Sequence, residues 1–557
     1  MTSALLIAVG FVVAGAVVPP GWILAGLNAP ATPARLTGAL LFKLGLVALG
    51  VTFAALGWWQ RCLPIAAPRR DELPAAESRT ALAGLAVVLV VAGLLRLYRL
   101  DAGLWYDEIV AYVQYARMPF GQLVSTYTSE SQHFLFNILA HAAMALLGKS
   151  GSTIRLPAAL FGVGSVLALY HFARRVASTH EALLAAALMT VSYHHVWFSQ
   201  NACGYSGLLF FTLLSSWLLL RAVDGARLSP WLAYSAAAAL GVYTHVTMLF
   251  VVLVHFAVAV VTATRRRTDG ALAVSMLAAF GVAALLTFQL YALVLPQFVG
   301  TIGQHTEVVD WKSPLWTVLE LARGMRVGIT GGIVAVIGGV VFLTGLASFA
   351  RRAPVLVVLL VAPPAVGAAL VLGMGHPLWP RFFFFAFGFV LLVIVRGMTV
   401  VGGAVGSLLD VRAAVRPRLG MAMAIGLIVL SAASVPAAYA PKQDYQGALA
   451  FVEGAKEPGD AVVTVGLATF PYRNLFNVGW DAANSAEQLA QIRGRAKRTW
   501  VVYTIPLHLR FEHPDIMAVL DRDFSVVKRF SGSLNGGVLV VCRADAGAAG
   551  RDRGERL

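Results

Sequence analysis

"QHFLFNILAHAAMALL", Gln132 to Leu147, either crosses a membrane or lies against one, and the sidedness of everything around it follows from the answer. At about 1.5 Å per residue its sixteen residues span roughly 24 Å, short of the roughly 30 Å hydrocarbon core. His133, Asn137 and His141 stand at i, i+4 and i+8, which puts a polar stripe on one helical face. The stretch is read as a juxtamembrane or re-entrant helix on the outer side rather than a crossing.

Charge parity leads to the same reading. Clusters of Lys and Arg mark the cytoplasmic ends of spans. Here they are Arg69-Arg70, Arg174-Arg175, Arg221 with Arg227, Arg265-Arg266-Arg267, Arg351-Arg352, and Arg412 with Arg416 and Arg418. An even number of crossings must separate neighbouring clusters. Apolar runs at 4–28 and 37–61 precede the first cluster. The later intervals hold 181–198 with 204–220, 231–244 with 246–264, 271–295 with 328–349, and 354–374 with 382–400, and 419–439 exits. Between Arg70 and Arg174 lie three runs, 80–98, 132–147 and 154–173, so parity requires that one does not cross. The expectation is an all-α polytopic membrane protein of about thirteen transmembrane helices. A first outer loop at 99–153 and everything after about residue 440 then lie outside the cytoplasm.

Composition agrees. Of the 557 residues 59% are hydrophobic and 13% charged, against roughly 45–50% and about 25% in soluble domains. The net charge of +16 comes from short basic clusters between apolar runs. That distribution fits loops facing anionic lipid and argues against a nucleic-acid partner. Cys62, Cys203 and Cys542 lie far apart, with no metal-ligand spacing and no disulfide framework. The opening run lacks a basic leader and is followed by many spans, so it reads as a first transmembrane helix rather than a cleaved signal.

The tail has a different period. "AVVTVG", "TWVVYTI", "FSVVKRF" and "GGVLVVC" read as strands, with helical patterns at about 443–456 and 485–495 between them. Three regions are expected: two extra helices at 1–79, a transmembrane catalytic domain at 80–440, and a small periplasmic α/β domain at 441–557.

This topology gathers polar residues on the outer face. Asp107 and Glu108 sit in the first outer loop, in "LWYDEIVAY", and His133, Asn137 and His141 follow. "YHHVWFSQNACGY" adds His194, His195, Ser199, Gln200, Asn201 and Tyr205, and "VYTHVT" adds Tyr243 and His245. "GQHTEVVDWK" supplies His305, Glu307, Asp310 and Lys312, and "GHPLWPRFFFF" supplies His376 and Arg381. Span-end histidines beside tyrosines also read as interfacial anchors, and a lone arginine also snorkels to headgroups. The company of an acid pair, a half-length helix and several polar span ends points instead to a headgroup-lined or water-filled cavity.

Such a cavity suits transfer of a sugar from a lipid-linked donor to a hydroxyl acceptor. No nucleotide enters, and the chain has no convincing glycine-rich phosphate cradle. The polyprenyl phosphate that leaves needs a cation, for which arginine is suited by its permanent charge and bidentate geometry. Arg381 or Lys312 can supply it. The acceptor hydroxyl needs a carboxylate base, Asp107 or Glu108. One base and direct displacement predict inversion. His133, Asn137, Gln200, Asn201 and Tyr205 are candidates to orient the substrate.

"LWYDE", then "SQHFLFNILAH", "IRLPAALFGVGSVLALYHFARRV" and "FSQNACGY", in that order, resemble the C-type (GT-C) glycosyltransferases. The likeness is strongest to the branch of dolichyl-phosphate-mannose-protein mannosyltransferases and lipid A aminoarabinose transferases. It covers roughly residues 80–260 well and the later spans only by pattern. The resemblance implies a multi-pass inner-membrane enzyme using a polyprenyl-phosphate sugar, with its active site facing the periplasm and an envelope glycan, lipid or protein as acceptor. It makes Asp107 the catalytic base, with Glu108 beside it. Some members use a divalent metal, and no ligand spacing here decides whether this chain does. Many relatives carry "HPP" where this chain has "QHF" at Gln132–Phe134, and an arginine where it has Cys203. Two extra spans precede the catalytic loop. A transporter or lipid flippase is the competing reading, and it predicts ionisable residues at span midpoints. Here most charge sits at span ends. A non-catalytic assembly or sensor protein, working through the tail domain, is a further reading.

Overall fold

The computed structural model describes residues 2–62, 78–129, 131–224, 228–265, 270–301, 313–325, 332–534 and 536–545. The chain divides into two compact units. A helical unit comprises Met1–Leu100, Met118–Gly148 and Thr153–Val435; the other joins Asp101–Arg117 and Lys149–Ser152 to Pro436–Leu557.

In the helical unit the long apolar runs form helices because a helix satisfies every backbone polar group within the segment. Among the described residues nine helices are long and apolar enough to span, or ten if Leu5–Val17 and Pro20–Gly26, bent by 104°, form one crossing. These ten coincide with ten of the expected spans. The other three expected spans correspond to shorter or incompletely described elements. Leu228–Thr244 has 17 residues, Gly332–Arg352 has 21, and the 181–198 run is broken into Thr179–Thr190 and Tyr193–Ser199. Phe134–Leu147 is a 14-residue apolar helix and falls below span length, as its sequence predicts.

The break after Thr190 has a visible cause. Ser178 and Glu181 close the start of that helix in a capping box. At its other end Arg96, fully buried, fills the carbonyls that the break releases. Its Nη1 donates to Thr190 O and Ala92 O (both 3.0 Å), and its Nη2 to Met189 O (3.2 Å) and His195 Nδ1 (2.5 Å). Helix ends leave such carbonyls without intrahelical partners, and burial demands that something occupy them.

The other unit is a five-stranded sheet. Its strands are β1 (Ala461–Val465), β2 (Asp481–Ala483), β3 (Arg498–Thr504), β4 (Ser525–Phe530) and β5 (Leu539–Asp545), in the order β2-β1-β3-β5-β4. β1 runs parallel to β2 and β3, while β5 is antiparallel to β3 and β4. Four strands are those read from the sequence; the three-residue β2 is too short to show a period. Alternation sorts the side chains onto two faces. Val463, Val501, Tyr503, Val540 and Cys542 pack with Leu489, Leu509, Ile516 and Leu520 from three helices. Val462, Trp500, Val502 and Val541 pack on the other face with Tyr445, Ala448 and Val452 of the helix Tyr445–Ala455. Ile109, from the loop that carries the acid pair, belongs to this second cluster. Full burial of such a side chain contributes about 1.5–3 kcal/mol.

Candidate active site

The acid pair opens a five-residue helix, Tyr106–Val110, which runs directly into one turn of π-helix at Ala111–Ala116. Its two carboxylates have different surroundings. Glu108 is fully buried, and its Oε2 accepts the Trp105 N–H (3.3 Å) at the start of the helix. Asp107, one residue earlier on the turn, keeps part of its surface open. The helix is held to the sheet unit by Gln443, whose Oε1 accepts the Tyr106 N–H (3.0 Å) while its Nε2 donates to Thr504 Oγ1 (3.0 Å). Tyr106 packs edge-on against Phe470 at 6.3 Å. Burial, with the charge of Asp107 adding to it, pushes the Tyr106 phenol up to about 12.

A second constellation forms in the helical unit. His133 precedes the helix Phe134–Leu147 and stacks on His245 at 4.8 Å, and Tyr205 packs against both, at 5.5 and 5.0 Å. The Gly204 N–H donates to His133 Nδ1 (3.2 Å), and Thr247 donates its N–H (3.3 Å) and its hydroxyl (2.8 Å) to His245 Nδ1. With Nδ1 accepting, both neutral rings carry their proton on Nε2 and present a donor there. Burial, assisted by the charge of Arg381, lowers His133 to about 3. Burial, then His133 and Arg381, likewise hold His245 well below the ordinary histidine range. Two neutral donors therefore lie within the field of one guanidinium. Arg381 stacks over Trp379 (4.9 Å to the ring centre), and Trp379 meets Trp316 edge-on at 5.4 Å. Gly204 is required here: a Cβ would lie 2.7 Å from Thr244 O and 3.0 Å from the His133 ring.

Two members of the stripe, His133 and Asn137, are thus buried, while His141 stays half-buried and meets Phe120 at 6.2 Å. Asn137 is buried one turn after His133, and among the described residues neither of its amide atoms has a hydrogen-bond partner. A buried amide left so is costly, which suits a group that binds substrate or water. Gln200 is engaged differently. Its Nε2 donates to Arg96 O (3.0 Å) and Tyr98 O (2.6 Å), closing the end of the helix Arg79–Leu97. Asn201 is buried beside it. Lys312, with His305, Glu307 and Asp310, lies outside the described residues. The sequence reading placed His245 on the outer face without ranking it among the substrate contacts; its pairing with His133 joins positions 112 residues apart. Among the described residues no group of three His, Cys, Asp or Glu side chains is arranged to hold a metal ion.

Comparison with known proteins adds one sequence match. Residues 131–291 match the family model described as dolichyl-phosphate-mannose-protein mannosyltransferase. No curated protein has a matching sequence. Among solved structures, ArnT from Cupriavidus metallidurans bound to undecaprenyl phosphate is 14% identical, covering 86% of this chain and 100% of its own, at a TM-score of 0.48. The Archaeoglobus fulgidus oligosaccharyltransferase tethered to an acceptor peptide is 12% identical, covering 82% and 74%, also at 0.48. The arabinosyltransferase EmbB from Mycobacterium smegmatis is 15% identical, covering 81% and 46%, at 0.40. The matched segment begins one residue before Gln132 and contains His133, Asn137, Gln200, Asn201, Tyr205 and His245. Over residues 131–291 this multi-pass membrane protein is thus similar in sequence to the dolichyl-phosphate-mannose-protein mannosyltransferase family model.

Proposed function

We propose that the protein transfers a monosaccharide from a polyprenyl-phosphate donor to a hydroxyl of an envelope glycan, lipid or protein on the periplasmic face of the inner membrane, with inversion. The match of residues 131–291 to the mannosyltransferase family model carries this reading. The domain organisation proposed with it is the one read from the sequence: two added N-terminal helices, a transmembrane catalytic region and a periplasmic α/β tail.

In the proposed step the Asp107 carboxylate removes the proton from the acceptor hydroxyl as its oxygen attacks the anomeric carbon. The carbon–oxygen bond to the phosphate breaks, and the polyprenyl phosphate leaves with the electron pair. Attack opposite a departing group inverts the anomeric centre. Asp107 is assigned the base because, unlike the fully buried Glu108, it keeps part of its surface open. Glu108 is assigned a positioning role because its carboxylate is bound to the Trp105 N–H. Arg381 is assigned to the phosphate leaving group, with the Nε2 donors of His133 and His245 available to phosphate or sugar oxygens. Asn137 and Tyr205 are assigned to the sugar. Gln200 is assigned to the scaffold instead, because its amide already serves two backbone carbonyls.

The test is transfer by purified wild type and Asp107→Asn from a panel of radiolabelled polyprenyl-phosphate monosaccharides, with envelope extract as acceptor. Asn preserves size and cannot take the proton. The expected result is label transferred by wild type and lost in a variant that still folds and binds donor. Equal transfer by both removes Asp107 from catalysis. No transfer by wild type, with labelled lipid moved across vesicles, replaces the enzyme by a transporter.

A further inference from the structure

The opposite ends of these spans carry a second polar site. A cavity of about 710 Å³ is lined by Arg175, Arg352, Arg396 and Arg416, with Glu181 as its carboxylate. On the span Pro380–Leu408, Arg381 and Arg396 are fifteen residues apart, roughly 22 Å along a helix. The cavity is therefore distinct from the histidine constellation. It brings together three basic clusters that lie far apart in sequence, around Arg175, Arg352 and Arg416.

Among the described residues, the charges in it are not all balanced. Arg396 Nη1 pairs with Glu181 Oε1 (2.8 Å) and its Nε donates to Ser348 Oγ (2.9 Å), while Arg175 pairs with Asp224. Arg416 Nε is held by the Val411 carbonyl (2.9 Å), and among the described residues neither Arg416 nor Arg352 has a carboxylate partner. Among the described residues, two guanidinium charges thus face the cavity without a carboxylate partner. Ser178, His180 and Thr399 also line the space, and Leu184, Phe349, Val400 and Met421 give it an apolar stretch of wall. Solvated loop arginines would not need an apolar wall, and an apolar crevice would not need arginines. A phosphodiester joined to acyl chains has both surfaces, and arginine binds phosphate oxygens in a bidentate way.

We propose that this cavity binds a phosphate-bearing anion, supplied by the headgroup of an anionic phospholipid in the leaflet facing the basic ends of the spans. The Arg352 and Arg416 guanidinium groups contact the phosphate, and the apolar wall receives the first methylenes. The binding is independent of sugar transfer and does not rest on the assignment of Asp107.

The test uses full-length protein in detergent, titrated with short-chain phosphatidylglycerol, short-chain phosphatidylcholine, or inorganic phosphate, and read by native mass spectrometry and thermal unfolding. The expected result is retention of phosphatidylglycerol over phosphatidylcholine with a raised unfolding temperature. Arg352→Gln with Arg416→Gln should weaken that retention by about an order of magnitude. Arg352→Gln alone, at an exposed position, should show part of the loss should the double variant fold poorly. Equal stabilisation by inorganic phosphate, lost in the same variants, upholds the anion site and makes its occupant soluble. Retention of phosphatidylglycerol by Arg352→Gln at wild-type strength, or no preference between the two lipids, overturns the proposal.

Discussion

The acid motif "YDE" and the motif "FSQNACGY" look alike in sequence, each a knot of polar residues at the end of an apolar run, yet they use their side chains for opposite tasks. In the first, Glu108 supplies an acceptor to an N–H at a helix start. In the second, Gln200 supplies a donor to two carbonyls at a helix end. Helix termini leave both kinds of group without partners, and buried termini recruit side chains to meet them. The neighbouring candidate group then differs. Beside Glu108 it is Asp107, a partly exposed residue. Beside Gln200 it is the ring of Tyr205, packed on two neutral histidines. A polar residue beside a candidate catalytic group is therefore as apt to position it as to share its chemistry.

The strongest way to break that comparison is at the acid pair. Asp107→Asn is expected to lower kcat by about 10²–10⁴ with an unchanged unfolding midpoint. Glu108→Gln retains an oxygen for the Trp105 N–H and should keep most of the turnover. Steady-state transfer assays on the two variants decide it, and the reverse pattern would make Glu108 the base.

Gln200→Leu removes the donor from the carbonyls of Arg96 and Tyr98. It should cost about 1–3 kcal/mol of stability, read from thermal unfolding in detergent, with turnover per folded molecule retained. Lost donor binding at unchanged stability would return Gln200 to the substrate contacts.

Arg381→Lys keeps the charge and loses the planar fork. The expected effect is a rise of roughly tenfold in KM for the polyprenyl-phosphate sugar with kcat little changed. A wild-type KM would show that Arg381 serves the aromatic packing around Trp379 and not the phosphate.

The smallest effect is a slope with pH. Burial, with the charge of Arg381, lowers the folded His133 imidazole from 6.5 to about 3, so between those values the unfolded chain holds more protons. The stability it contributes is complete above about 6.5 and is lost as pH falls toward about 3. His133→Gln should flatten the unfolding temperature against pH in that window. An unchanged slope would assign the acid sensitivity elsewhere, with His245 as the next group to replace.

Legibility varied with the range of the signal. Run length marked residues 132–147 as a helix shorter than a span, because the length of an apolar run is a property of local composition. The stripe of His133, Asn137 and His141 was visible as a stripe, but its direction was not. A polar face reads the same whether it meets water or a buried histidine from another helix. The four longer strands of the tail were legible through period two, and β2 was too short to carry one. Glu108 and Asp107 could not be told apart, since adjacent carboxylates differ only in what the chain folds around them.

By itself the sequence determined that the chain is a multi-pass helical membrane protein with a small α/β tail, since apolar run length and alternation act within a few residues. It also placed candidate chemistry at one set of span ends, through residue type. Only the tertiary structure decided that the acid helix joins the core of the sheet unit through Ile109. The same holds for the pairing of His133 with His245 across 112 residues, and for the closure of a broken helix by Arg96. Each of these is a contact between distant segments, and its stability comes from burying groups that no single segment can satisfy alone.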